Sequence, residues 1–177
     1  MNIEYEVRIL EINSDELINR LERIGAKFIG KYDQKRYVYN TIPKKEGKWL
    51  RLRTNGEETT LTYKSVEKNS IDGTKELEIE VEDFEKTNEL LELVGIKSKG
   101  YQENRRIRYL LDDVEVDIDT WPLIPTYVEI EGKDEDSVNN VIKKLELQNN
   151  KVTALDVQSV YEKIYNIDIS KISTLKF

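Results

Sequence analysis

The residues with chemistry to offer come in alternation. In the stretch IEYEVRI, residues 3–9, Glu4, Glu6 and Arg8 are separated by Ile3, Tyr5, Val7 and Ile9. A period of two is that of a strand with one polar and one apolar face. The same period sets Arg51 and Arg53 against Leu50 and Leu52, with Trp49 in register on the arginine side. It sets Glu76, Glu78 and Glu80 against Leu77, Ile79 and Val81, and Asn104, Arg106 and Arg108 against Ile107, Tyr109 and Leu111. Glu115, Asp117 and Asp119 oppose Val114, Val116 and Ile118, while Glu129 and Glu131 oppose Val128 and Ile130. Lys64 closes a hydroxyl-rich strand, LTYK.

Any one of these strands can be the wet side of a sheet. A wet face, however, usually mixes signs along each strand to separate like charges, whereas here some strands are wholly acidic and others wholly basic. Carboxylates at i and i+2 share a face and can share a divalent ion with a neighbouring strand. Arginines at that spacing can fork onto successive phosphates. Together they suggest a polyanionic substrate with a metal. Phosphoryl and nucleotidyl transfer ask the protein for little beyond such positioning and charge stabilisation.

Composition narrows the chemistry further. The chain has 177 residues with no cysteine and no histidine. That excludes disulfides, thiolate nucleophiles, zinc–sulfur sites, Ser-His-Asp arrangements and histidine acid–base catalysis. Carboxylate-only sites prefer hard ions such as Mg2+ or Mn2+. The net charge of -7 argues against a general nucleic-acid partner, because phosphate neutralisation needs a basic surplus. No apolar run approaches 18 residues and no signal peptide is evident, so the expectation is a cytoplasmic protein with no membrane partner.

The elements that must position these faces read as follows. Ser14-Asp15-Glu16 looks like a helix start, with Leu17, Ile18, Leu21 and Ile24 at helical spacing and Gly25 ending the run. Strands are expected over 35–40, 49–54, 59–65 and 76–82, with Asn55-Gly56 as a hairpin turn. A second helix is expected over 87–94, then strands over 104–111, 114–120 and 127–131, and helices over 137–145 and 156–165. No Pro-, Gly- or Ser-rich linker divides the chain, which predicts one domain over 1–177. Residues 21–27, LERIGAK, match 91–97, LELVGIK, and the match continues without a gap through Gln34 with Asn104, Arg36 with Arg106 and Tyr39 with Tyr109. With a four-residue gap, IEYEV (3–7) also matches LEIEV (77–81). A strand–helix–strand unit is therefore expected twice. With helices outside covering the aliphatic rows, the polar faces converge inward. The expected fold is α+β, a closed or nearly closed eight-stranded antiparallel barrel with a charged lumen.

The ordered set of motifs resembles the CYTH superfamily, the triphosphate tunnel metalloenzymes, which includes class IV adenylate cyclases, thiamine triphosphatases and inorganic triphosphatases. The opening ExExR is similar to that family's ExExK signature, WLRLR (49–53) to its LRxR strand and LTYK (61–64) to its TxK strand. Glu78 and Glu80 fall in its middle ExE strand, Arg106 and Arg108 in its later basic strand, and Asp119 with YVEIE (127–131) in its acidic ending. The resemblance implies an enzyme that binds a triphosphate with Mg2+ or Mn2+. It makes Glu4, Glu6, Glu129 and Glu131 the metal-binding catalytic acids, joined by Asp119. Glu78, Glu80 and Asp117 become acidic lumen wall. Arg8, Arg51, Arg53, Lys64, Arg106 and Arg108 become phosphate-binding cations, with Arg36 added as the repeat partner of Arg106.

Class IV adenylate cyclase-like conversion of ATP to cyclic AMP and pyrophosphate is the leading expectation. The alternative is hydrolysis of inorganic triphosphate, thiamine triphosphate or a nucleoside triphosphate, and a second alternative is a non-catalytic nucleotide- or polyphosphate-binding module. One departure bears on mechanism: Arg8 stands where the signature has lysine, and a guanidinium cannot take up a proton. Trp121-Pro122-Leu123-Ile124-Pro125 replaces a usual Gly-containing segment; Trp121 is expected in packing, with contact to an organic moiety as the other reading. The loop EKNSIDGTK (67–75) is expected to be mobile and either a plain connection or a cover over the tunnel mouth. The C-terminal helix, with Leu155, Val157, Val160, Ile164 and Tyr165, can plug one end of the tunnel or pair with a second copy as a homodimer.

Overall fold

The computed structural model describes all 177 residues, and a sheet closed on itself forms its centre. In chain order come β1 (Asn2–Ile9), α1 (Ser14–Arg23), β2 (Lys27–Asn40), β3 (Lys48–Thr54), β4 (Thr59–Val66), β5 (Thr74–Glu80) and α2 (Phe84–Leu93). There follow β6 (Ser98–Leu111), β7 (Val114–Thr120), β8 (Tyr127–Gly132), α3 (Glu135–Lys144) and the short β9 (Val152–Thr153) and β10 (Thr174–Leu175). The strands run in the order β6-β2-β3-β4-β5-β1-β8-β7, and β7 pairs back onto β6. All eight junctions are antiparallel, so the chain forms the expected α+β closed barrel. No helix is long and apolar enough to cross a membrane.

The seam at β1 explains a loop. β5 reaches only Asn2–Glu4, and β9 reaches only Arg8 and Ile9. Between them the Glu6 backbone N–H donates to the Ile71 carbonyl at 3.0 Å, so the loop at 67–75 completes the wall. It does not cover a mouth. Its backbone is tied by Glu67 N–H to Gly73 O at 2.9 Å and Gly73 N–H to Ser70 O at 2.8 Å, and Ile71 packs on the core. A closed wall cannot leave a strand donor unpaired without cost, which is why this polar segment is tied to β1.

The main core lies outside the barrel, where the apolar faces of β1, β6, β7 and β8 meet Leu17 and Leu21 of α1 and Val138, Val141 and Ile142 of α3. A second cluster of Leu10, Trp121, Ile124, Tyr127, Val160, Tyr161, Ile169 and Leu175 sits where β1 and β7 end. The C-terminal segment therefore plugs that end, and its helix is α over Val157–Ser159 and π over Val160–Ile164. The helices start earlier than apolar periodicity suggests, because caps are set by acceptors: Asn13, not Ser14, accepts from the Asp15 and Glu16 amides, and Asp83 and Asp134 cap α2 and α3. Helices cover only part of the apolar rows. α2 buries no residue fully, and Leu77 and Ile79 on the outer face of β5 are 56% and 54% exposed.

The repeat has a spatial meaning. β2 and β6 pair antiparallel with Gln34 opposite Asn104, the two residues that match each other in the repeat. A local two-fold axis thus passes between them. The Tyr39 hydroxyl donates to Asn88 of α2 at 2.8 Å, and its counterpart Tyr109 donates to Glu22 of α1 at 3.5 Å, so each unit's strand is braced by the other's helix.

Gly73 tests the wall-completing loop. A Cβ there would stand 1.9 Å from the Lys68 carbonyl oxygen and 2.8 Å from that of Ser70, both backbone atoms. Gly73→Ala is expected to lower stability by about 1–3 kcal/mol, read as a lower denaturant midpoint at unchanged slope. An unchanged midpoint would mean that the loop does not hold this conformation.

Candidate active site in the barrel lumen

The lumen holds a cavity of about 230 Å³ lined by 18 residues, of which only 3 are hydrophobic. Glu4, Glu6 and Arg8 reach it from β1, Arg36 from β2, Arg51 and Arg53 from β3 and Lys64 from β4. Glu78 of β5, Arg106 and Arg108 of β6, Asp119 of β7 and Glu129 and Glu131 of β8 complete the expected set. Two expected residues fall outside it. Glu80 shares the alternation of Glu78 but lies exposed at the last position of β5, still paired with β4 but beyond the reach of β1. Asp117 is buried in the wall, behind Arg106 and Arg108. Conversely, Glu76, Glu115, Tyr127, Trp121 and Val157 also line the cavity. Alternation carries the signal for the first four: Tyr127 is in phase with Glu129, Trp121 with Asp119. Val157 comes from the C-terminal segment, in keeping with its reading as a plug.

Cross-strand register decides most pairings. Arg8 faces Glu129, Arg106 faces Asp119 and Arg108 faces Asp117. Arg8 contacts Glu129 at 2.5 Å and Glu6 at 3.2 Å, and donates through Nη1 to the Leu155 carbonyl at 2.9 Å. Arg106 contacts Asp117 at 2.5 Å, Asp119 at 2.6 Å and Glu129 at 3.0 Å. Arg108 contacts Asp117 at 2.6 Å and Glu115 at 2.7 Å, while Lys64 bridges Glu4 at 2.6 Å and Glu76 at 3.3 Å. Burial alone would push Glu129 up, but the Arg8 and Arg106 guanidiniums outweigh it and hold its carboxyl well below the ordinary range.

Crowded charge of both signs remains that these pairs do not fully neutralise. Glu4, Glu6 and Glu131 bring carboxylate oxygens within 4.8 Å of one another. Glu131 has no cation in ion-pair contact; burial, then repulsion from Glu6 and Glu4, raises its carboxyl to about 8. Burial likewise raises Glu6 against the pull of Arg8, and raises Glu4 against the pull of Lys64. On the basic side, Arg51 has only Glu78, at 3.4 Å. Arg53 forms no ion pair, and burial followed by repulsion from Arg51 and Arg106 pushes it down to about 9. A guanidinium keeps its proton in a folded protein, so this repulsion is a standing demand for an anion. The acidic trio offers only hard oxygen donors, which suits a divalent cation of the Mg2+ type.

The CYTH domain model matches residues 2–160 of the chain. A protein of Methanocaldococcus jannaschii named "Putative adenylate cyclase MJ0240" is 27% identical over 159 residues, 88% of this chain and 90% of its own length. Among solved structures, the PH1012 protein of Pyrococcus horikoshii superposes with a TM-score of 0.73 at 26% identity, over 84% of this chain and 94% of that one. The Hippeastrum protein HpAC1, described with a dominant triphosphatase activity, superposes with a TM-score of 0.62 at 16% identity, over 94% and 97%, a likeness of fold.

The crowded carboxylates set a pH dependence. A carboxyl raised from its ordinary 4.5 to about 8 keeps, in the folded state, a proton that the unfolded chain has lost between those values. Stability therefore falls as pH rises through that window. In chelator the melting temperature is expected to drop from pH 5 to pH 8, and Glu131→Gln to flatten the drop. An equally steep fall in the variant would place the crowding elsewhere.

Proposed function

The chain belongs to the CYTH domain family, and from that membership we propose that it is a divalent-metal-dependent triphosphatase. Water attacks the terminal phosphorus of a linear triphosphate, the bridging P–O bond breaks, and orthophosphate and a diphosphate leave. The observation that carries this reading is the lumen itself. It sets a crowded carboxylate trio, of which Glu131 has no counter-ion, against arginines that are not neutralised, and it has no free apolar slot for a base. A phosphate chain with its cation answers both demands at once.

In this reading Glu4, Glu6 and Glu131 would hold the cation, Mg2+ or Mn2+, which would neutralise phosphate oxygens and acidify water. Glu129 and Asp119 are already taken up by Arg8 and Arg106, so they keep those guanidiniums oriented. Arg51 and Arg53 neutralise the chain, and Lys64, Arg106 and Arg108 divide their charge between the wall and the substrate. Arg8 cannot accept the proton released from the attacking water, which leaves that task to the carboxylates. Nucleoside, thiamine and inorganic triphosphates are cytoplasmic compounds, and we take the enzyme to act there.

A second reading, adenylate cyclisation, is favoured by the name of the 27% identical relative. It needs the same charges but sets a ribose 3′-hydroxyl against the α-phosphorus and releases pyrophosphate. The base would then rest outside the mouth.

Product analysis after incubation with inorganic triphosphate, ATP and thiamine triphosphate, each with Mg2+ or Mn2+, separates the readings. Orthophosphate is expected, cyclic AMP with pyrophosphate would replace hydrolysis by cyclisation, and binding without turnover would sink both. Glu4→Gln combined with Glu6→Gln is expected to cut turnover at least roughly a hundredfold while leaving the circular dichroism spectrum unchanged. Full activity in that double variant would remove the trio from the reaction.

A further inference from the structure

Among the lumen cations, Arg36 is held by neutral groups alone. The residue is only 6% exposed, yet no carboxylate lies within ion-pair distance. Nη2 donates to Gln34 Oε1 at 3.2 Å and to Asn104 Oδ1, the two residues at the local two-fold axis. The guanidinium carbon sits 4.5 Å from the centre of the Trp121 ring, a cation–π arrangement. Nε is buried with no partner. Its cross-strand neighbour is Arg53, which is also unpaired. A planar, fully buried cation that is fixed on its face and on one nitrogen but not neutralised is a prepared anion seat.

Its place in the lumen sets what kind of anion fits. Along β7 the side chains pass from Glu115, 40% exposed, through Asp117 at 3% to Asp119 at 1%, and Trp121 follows in phase. Trp121 is backed edge-on by Tyr161 at 6.3 Å, whose hydroxyl donates to the Pro122 carbonyl at 2.5 Å. Behind them lies the C-terminal apolar cluster. That end is blind, and the group that reaches it can carry no further substituent.

We propose that Arg36, laid flat on Trp121, is a specificity-determining residue that seats the unesterified terminal phosphoryl group of the substrate at the blind end of the lumen. Any organic substituent then leaves through the mouth beside Glu78, Arg108 and Glu115. The substrate class is a linear phosphate chain with one free end, which rests on the triphosphate reading above and sharpens it. Repulsion from Arg51, Arg53 and Arg106 falls on the same guanidinium and is relieved when a dianionic terminus arrives.

Calorimetry in chelator, where nothing turns over, measures the seat separately from catalysis. The wild-type chain is expected to bind inorganic triphosphate and ATP, and to bind a triphosphate esterified with adenosine at both ends roughly a hundredfold more weakly. Arg36→Met should weaken both free-ended probes roughly ten- to hundredfold and leave the doubly esterified probe unchanged. The variant should also melt at a higher temperature without ligand, because an uncompensated buried charge is gone. A lower melting temperature would make Arg36 a structural ion and overturn the proposal, as would equal wild-type affinity for blocked and free chains. Orthophosphate release from triphosphate with unchanged affinity in Arg36→Met would overturn the seat alone. The expected affinity pattern without any turnover would overturn the hydrolase reading and leave the seat.

Discussion

Glu129 lies between Arg8 and Arg106, and three strands of the barrel meet at that carboxylate. Once a sheet closes with its charged faces inward, water is too scarce to screen them, and each buried ion needs a counter-ion from a neighbouring strand. Arg8 and Arg106 are raised above the ordinary arginine range because their carboxylates outweigh the burial that would lower them. Register is thereby tied to charge. A slip of one residue along β8 would turn Glu129 outward and take one carboxylate from each of two buried guanidiniums.

Such a network is a poor way to gain stability. Buried ion pairs roughly break even against well-packed apolar side chains of the same volume, and the apolar core of this molecule lies elsewhere, between the barrel and α1 and α3. What the paired ions supply is position. Arg106, held by three carboxylates, has no freedom to lose when a ligand arrives, so the binding of a chain of negative charge costs less ordering. The pairing also isolates the exceptions. Glu131 on one side, and Arg36 with Arg53 on the other, stand out because their neighbours are satisfied.

Alternation made β3, β4, β7 and β8 legible to within a residue or two, since each has one face of charge or hydroxyl and one of aliphatic side chains. It failed in the first halves of β2 and β6. There KFIGKYD carries Phe28 and Ile29 side by side, and the ladder shifts register between Phe28 and Gly30. Alternation also does not say where a strand passes beyond the lumen, which is why Glu80 reads like Glu78 and lies outside. The membership of the lumen was thus largely visible, but its pairing was not. Which cations are neutralised depends on which strands touch, and Lys64 meets Glu4 only because β5 hands over to β1 within three residues.

The repeat explains how one lumen comes to hold unspent charge of both signs. Arg36 and Arg106 are equivalent in the two units and stand symmetrically about the Gln34–Asn104 pair. Their next strands are not equivalent. β7 places Asp119 opposite Arg106, whereas β3 places Arg53 opposite Arg36. The same inward arginine is therefore neutralised three times in one half and repelled in the other. Had both halves kept the acidic strand, every cation would be spent on the wall and a phosphate chain would find nothing to bind. Had both kept the basic one, the apo barrel would carry more buried like charge than its core could hold. The different strand that follows each copy of the unit gives the barrel a filled half and a half that waits for an anion.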